Sequence, residues 1–201
     1  MNSSSSLSTP SLDIAAVRAG QHKTLSGADL SGQDLSGADL SQATLAGANL
    51  AGAKLCESNL RGNLRGANLA GADLAKADFR NAELQGATFI EAQFRSTSFA
   101  GAFMAGVNLS QVDLAGTDFR GADLRGADLR GANLELADFS NANLAGANLP
   151  DANLEEANLT GAIVRGANFA RANLLCIEGE GVNWEAACLD GVASAGSILD
   201  A

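Results

Sequence analysis

A large apolar residue returns every five positions through most of this chain, and that spacing constrains the fold more than any other feature of the sequence. The series runs Leu25, Leu30, Leu35, Leu40, Leu45, Leu50, Leu55 and Leu60. After one four-residue step it continues from Leu64 to Leu174, with only Met104 and Val164 departing from Leu or Phe. That makes 8 plus 23, or 31, five-residue units. A helix cannot use the pattern, because five residues advance about 140° beyond a full turn and scatter the leucines around the axis.

The unit reads Ala-Asp/Asn-Leu-x-Gly, as in Ala122-Asp123-Leu124-Arg125-Gly126. Apolar, polar, apolar is the signature of a short extended segment whose alternate side chains point inward. The small residue two before each centre and the centre itself therefore face the interior, and the polar residue between them faces out. All 18 glycines between residues 25 and 178 fall two after a centre. That position is a corner, where a type II turn takes φ > 0 at its second central residue. Thirteen units place other residues there, among them Lys76, Asn81, Glu91, Asn141 and Arg171, which predicts a mixture of turn types.

Phe79, Phe99, Phe119 and Phe139 recur every 20 residues, or four units. Stacked coils of four sides would place these rings one above another at about 4.8 Å, an interior aromatic ladder that fixes coil register. Residues 21–201 then make about nine coils and a rod of roughly 43 Å. The irregularity Leu60-Arg61-Gly62-Asn63-Leu64 lacks one residue and has Gly62 where Ala is expected, so a corner there tightens or the axis bends.

A chain of this length reads as one domain. Residues 1–8 are Ser-rich and read as a disordered tail. Residues 9–20 read as an N-terminal capping helix, with Thr9 as N-cap, Pro10 at the first helical position, Asp13 in the early turn, Arg18 in the last and Gly20 as the stop. Residues 21–174 form the solenoid. Residues 175–201 keep the five-residue phase with degenerate side chains, as final coils and a C-terminal cap. Trp184, Leu189, Ile198 and Leu199 are the candidates for that cap or for a dimer contact.

These residues identify the chain as resembling the pentapeptide repeat proteins, whose motif A(D/N)LxX it matches over about residues 23–174. The resemblance implies an all-β fold, the right-handed quadrilateral parallel β-helix, here with a short N-terminal capping helix. Its near-perfect Ala-Asp/Asn-Leu units look more like cyanobacterial-type members than the quinolone-resistance type. Dimerisation through the C-terminal end, frequent in the family, is implied as well.

Chemistry for catalysis is sparse. A filled solenoid offers no concave site, and the single His22 has no Cys or second His beside it. Cys56, Cys176 and Cys188 form no metal or disulfide spacing, which favours a reducing, cytoplasmic location. No secretory leader and no membrane-spanning stretch is recognisable. No cofactor, no metal site and no catalytic residue is expected.

The net charge is −10, carried mainly by residues 134–201, which hold 10 acidic and 2 basic side chains. That balance disfavours direct contact with nucleic acid or a membrane and suits another protein as partner. Asp118, Asp138, Glu135, Asp151, Glu155 and Glu156 are the candidate partner surface. Two functions follow: a non-enzymatic scaffold presenting a patterned rod surface, or a DNA mimic that binds DNA gyrase or another type II topoisomerase, as the resemblance allows. The second is weakened by charge, since duplex DNA carries about 25 charges over 43 Å against a net 10 here.

Overall fold

The computed structural model describes residues 12–196. Parallel pairings link outward residues of successive coils along four walls. The first wall runs through Thr24, Thr44, Asn63 and Glu83 to Asn183; the second starts at Asp29, the third at Asp34 and the fourth at Asp39. Nine rows stand on the first wall. In a regular wall the inward centre donates its N–H to the next coil, as Leu124 does to Asn143 (2.8 Å), and the outward residue donates to the previous one, as Asp123 does to Ala102 (2.9 Å). All peptide groups of a regular wall are thus satisfied along the rod axis.

The interior is a single column of Leu, Phe and Ala, nearly all fully buried. On the fourth wall Phe79, Phe99, Phe119 and Phe139 stack face to face, with centroids 4.9, 5.4 and 5.0 Å apart and planes within 15° of parallel.

The corners are more uniform than the sequence predicts. From Gly27 to Gly196 the position two after a centre has, at all but two corners, φ between 54° and 76°, whether it holds Gly or a residue such as Glu57, Gln111, Leu136 or Arg171. The left-handed conformation costs a non-glycine residue roughly 1–2 kcal/mol, yet the coil imposes it because the hydrogen bonds of the flanking walls leave the corner no other path. The expected mixture of turns shrinks to two corners, at Gln42 and Gly62, neither of which is left-handed.

Those two corners lie on adjacent coils. Pairings normally 20 residues apart drop to 19 for one circuit, from Thr44–Asn63 to Asn59–Asp78, and return to 20 at Asn63–Glu83. The missing residue is absorbed by tightening the corner. A side chain at Gly62 would come 3.0 Å from the Ala43 carbonyl, which is why Ala gives way to Gly here.

Helix α1 (Ile14–Arg18) precedes the first coil. It is shorter at its start than the sequence predicts: Asp13, not Thr9, is the N-cap, accepting the N–H groups of Ala15 (2.9 Å) and Ala16 (3.2 Å). Thr9 and Pro10 lie outside the described residues. At the other end Gly20 donates to Val17 and Gln21 to Ala16, the paired bonds that close a helix on a left-handed glycine. Val17 is fully buried in the common core, with Leu12 and Ile14 packed beside it.

Candidate interaction surface

The outward Asp and Asn side chains are structural before they are anything else. Their Oδ1 accepts the backbone N–H two residues on, as in Asp29 to Ser31 (3.1 Å) and Asn168 to Ala170 (3.0 Å). This Asx bond braces each corner from outside. Where Asn residues meet they also bond along the wall, Asn173 to Asn153 (2.8 Å) and Asn153 to Asn133 (3.1 Å).

Where the outward residue of a unit is Asp, an arginine immediately after the centre folds back onto it. Arg80 on Asp78, Arg120 on Asp118, Arg125 on Asp123 and Arg130 on Asp128 are all two-pronged contacts of 2.6–3.0 Å. Arg61 Nε also stands 2.8 Å from Asp78, within ion-pair range but without hydrogen-bond geometry. Hydrogen bonds from Arg125 and Arg130 hold the Asp123 and Asp128 carboxyls below the usual carboxylate range. At Asp118 burial pushes upward, but the bonds from Arg120 and Ser98 together outweigh it and the net direction is down.

Against this background the six candidate partner residues separate. Asp118 is engaged by Arg120, which also lies 3.8 Å from Asp138 on the same fourth wall. Asp151 stands on the second-to-third-wall corner and is gripped by Arg171 of the next coil at 2.6–2.7 Å, which keeps its carboxyl low. Glu135, Glu155 and Glu156 fall together on the third-to-fourth-wall corner, on stacked coils. Among the described residues none of these three forms an ion pair; Glu155 accepts one bond from Asn173 (3.2 Å).

Between them lies Leu136, 56% exposed with φ 58°. Sequence reasoning missed it, although the signal was present: a leucine in a corner position that otherwise holds glycine or a small or polar residue. Phe103 and Ile163, exposed on the first wall in positions that elsewhere hold mostly polar residues, most often Asp or Asn, carry the same kind of signal.

At the C-terminal end the core thins. Val182, Trp184, Leu189 and Val192 are only partly buried, and Trp184 packs edge-on against Phe169 at 5.4 Å. Ile198 and Leu199 lie outside the described residues. No three His, Cys, Asp or Glu side chains among the described residues cluster to hold a metal ion, and no helix there is long and apolar enough to cross a membrane.

The model of the pentapeptide repeats matches residues 25–62, 63–101, 102–141 and 137–174. The chain belongs to the pentapeptide repeat family. Pentapeptide repeat proteins are right-handed quadrilateral β-helices, and the four-walled coil described above is that fold. The full-length plasmid-mediated fluoroquinolone resistance protein QnrB1 is similar in structure, with a TM-score of 0.66 at 18% identity over 83% of this chain and 91% of that one. HetL, a pentapeptide repeat protein involved in heterocyst differentiation regulation from the cyanobacterium Nostoc sp., is 31% identical over 86% of both chains, with a TM-score of 0.37. Rfr23 from the cyanobacterium Cyanothece is 29% identical over 68% of this chain and 90% of its own, also with a TM-score of 0.37. Both kinds of pentapeptide repeat protein are thus matched. Among curated proteins none matches this sequence.

Proposed function

We propose that this pentapeptide repeat protein is a non-enzymatic interaction rod, of the cyanobacterial kind and cytoplasmic, that presents its third-to-fourth-wall corner to another protein. One observation carries the reading: Leu136 is exposed in a strained backbone conformation amid Glu135, Glu155 and Glu156, whose carboxylates are uncompensated while most others nearby are neutralised by an arginine. Exposed apolar surface ringed by one sign of charge is the makeup of an interface that selects a basic, partly apolar partner.

Capture from native lysate tests it. The triple variant Glu135→Lys, Glu155→Lys, Glu156→Lys should lose a protein that the wild type retains, and an unchanged set of captured proteins would reject the corner.

A second reading, a DNA mimic acting on DNA gyrase or a related topoisomerase, draws support from the shape shared with QnrB1. Internal pairing works against it, because each Arg–Asp contact removes a negative charge from the surface that would imitate phosphate. A supercoiling assay with purified gyrase decides: no inhibition and no drug protection at micromolar protein removes this reading. The half-buried Trp184 and Leu189 at the C-terminal end further support a dimer through that end, and molar mass in solution, light scattering against concentration, tests it.

A further inference from the structure

The wall of the solenoid is open along a seam between the coils of residues 87–96 and 106–115. On the first wall Leu84 donates to Phe103 (2.9 Å), and on the fourth Phe99 donates to Asp118 (2.7 Å), as the register demands. On the second and third walls between them, the bonds from Phe89 to Asn108 and from Phe94 to Asp113 are not made. The return bonds from Asn108 to Ala87 and from Asp113 to Ala92 are missing too. Thr88 and Asn108 still pair, without a bond of full hydrogen-bond geometry, whereas Gln93 and Asp113 do not pair at all. Two coils are therefore joined on the first and fourth walls, loosened on the second and parted on the third.

The interior explains the parting. Phe89, Phe94 and Phe99 crowd one coil with centroids 5.7–5.9 Å apart. On the next coil the small inward position, usually Ala, holds Val107 and Val112, on the same two walls that open. A close-packed core does not compress, so the added volume spreads the walls. Ala92, Phe94 and Val112 are 8%, 5% and 8% exposed, against 4% or less for the remaining core of residues 25–177.

The cleft so formed has a volume of about 400 Å³, within the range of ligand sites. On the third wall both lips carry backbone N–H and C=O groups without a backbone hydrogen-bond partner among the described residues. Ile90, 57% exposed, forms an apolar shelf at the rim. Glu91 and Asp113 add two carboxylates. Main-chain donors and acceptors in a row recognise another main chain, as in strand addition to a sheet edge. The carboxylates exclude polyanions and favour a cationic side chain.

We propose that this seam is a docking slot for an extended segment of a partner polypeptide, with the segment's main chain bonding the open lips, an apolar side chain covering Ile90 and a Lys or Arg facing Glu91. The slot centres on the second-to-third-wall corner, one wall away from the acidic corner.

The test pairs hydrogen exchange with selection from a displayed random heptapeptide library. In the wild type the amides of Phe89, Phe94, Asn108 and Asp113 should exchange at least tenfold faster than those of Leu84 and Phe99. The double variant Phe94→Leu, Val112→Ala, which restores ordinary core volumes, should slow them. Peptides enriched on the wild type should carry Lys or Arg. They should bind at least tenfold more weakly to the double variant, to Glu91→Lys, which leaves the seam open, and when their alternate amides are N-methylated. Should the double variant not fold, Glu91→Lys and N-methylation still decide. Seam amides as protected as those of the closed walls, no enrichment of peptides on the wild type, or indifference to both Glu91→Lys and N-methylation would overturn the proposal.

Discussion

Phe119 lies over Phe139 with ring centroids 5.0 Å apart and planes within 4° of parallel. Both rings are fully buried, so each fills space that no neighbour can reach. Phe119→Ala should cost about 3–5 kcal/mol, the usual range for emptying a buried aromatic site. Phe103→Ala, at an exposed outward position, should change stability by about 0.5 kcal/mol or less. Denaturant unfolding of the two variants beside the wild type measures both.

Thr117 occupies the small inward position two before Phe119 and is fully buried, yet its hydroxyl has no hydrogen-bond partner among the described residues. Thr97 in the equivalent place donates to the Leu74 carbonyl at 2.9 Å. Replacing an unsatisfied hydroxyl by a methyl of the same shape removes a desolvation cost, so Thr117→Val should stabilise by roughly 1 kcal/mol. Thr97→Val should destabilise, because it leaves a made bond unmade. Thermal unfolding of the pair reads opposite signs.

Leu136→Gly relieves a left-handed leucine. It should raise stability by about 0.5 kcal/mol, the strain removed less the extra freedom of glycine in the unfolded chain. The same substitution should weaken capture of the partner. A residue kept for the fold alone would not show that opposition.

The folded-state carboxyls of Asp123 and Asp128 sit below their ordinary values. Their contribution to stability is therefore complete above the unfolded aspartate pKa of about 3.9 and is lost as pH falls through the lower folded values. Arg125→Gln with Arg130→Gln should be less stable than the wild type at pH 7, and the two curves should converge in strong acid. Unfolding free energies across the acid range check the convergence.

The architecture was legible because the constraint repeats. One glycine or leucine says little, but 31 units in phase, together with phenylalanines 20 residues apart, leave few ways to close a coil. Two features escaped for physical reasons. Corner conformation is set by the hydrogen-bonded walls, not by the residue at the corner, so Glu57 and Leu136 take φ values that their chemistry disfavours. The Arg–Asp contacts need two positions of one unit read together, which turns an apparent face of charge into neutral pairs. Departures from the motif proved the better guide to surface features: Leu136 in a glycine position and Val107 and Val112 in alanine positions mark the exposed corner and the open seam.

A photoreactive residue placed at position 136 in the cell, with position 103 as control, measures most directly whether the Glu135, Leu136, Glu155 and Glu156 corner meets another protein. The expected result is one discrete adduct with a different protein from position 136, weakened by Glu155→Lys, and none from position 103. Adducts that are equal from both positions, or absent from position 136, would contradict a partner at this corner.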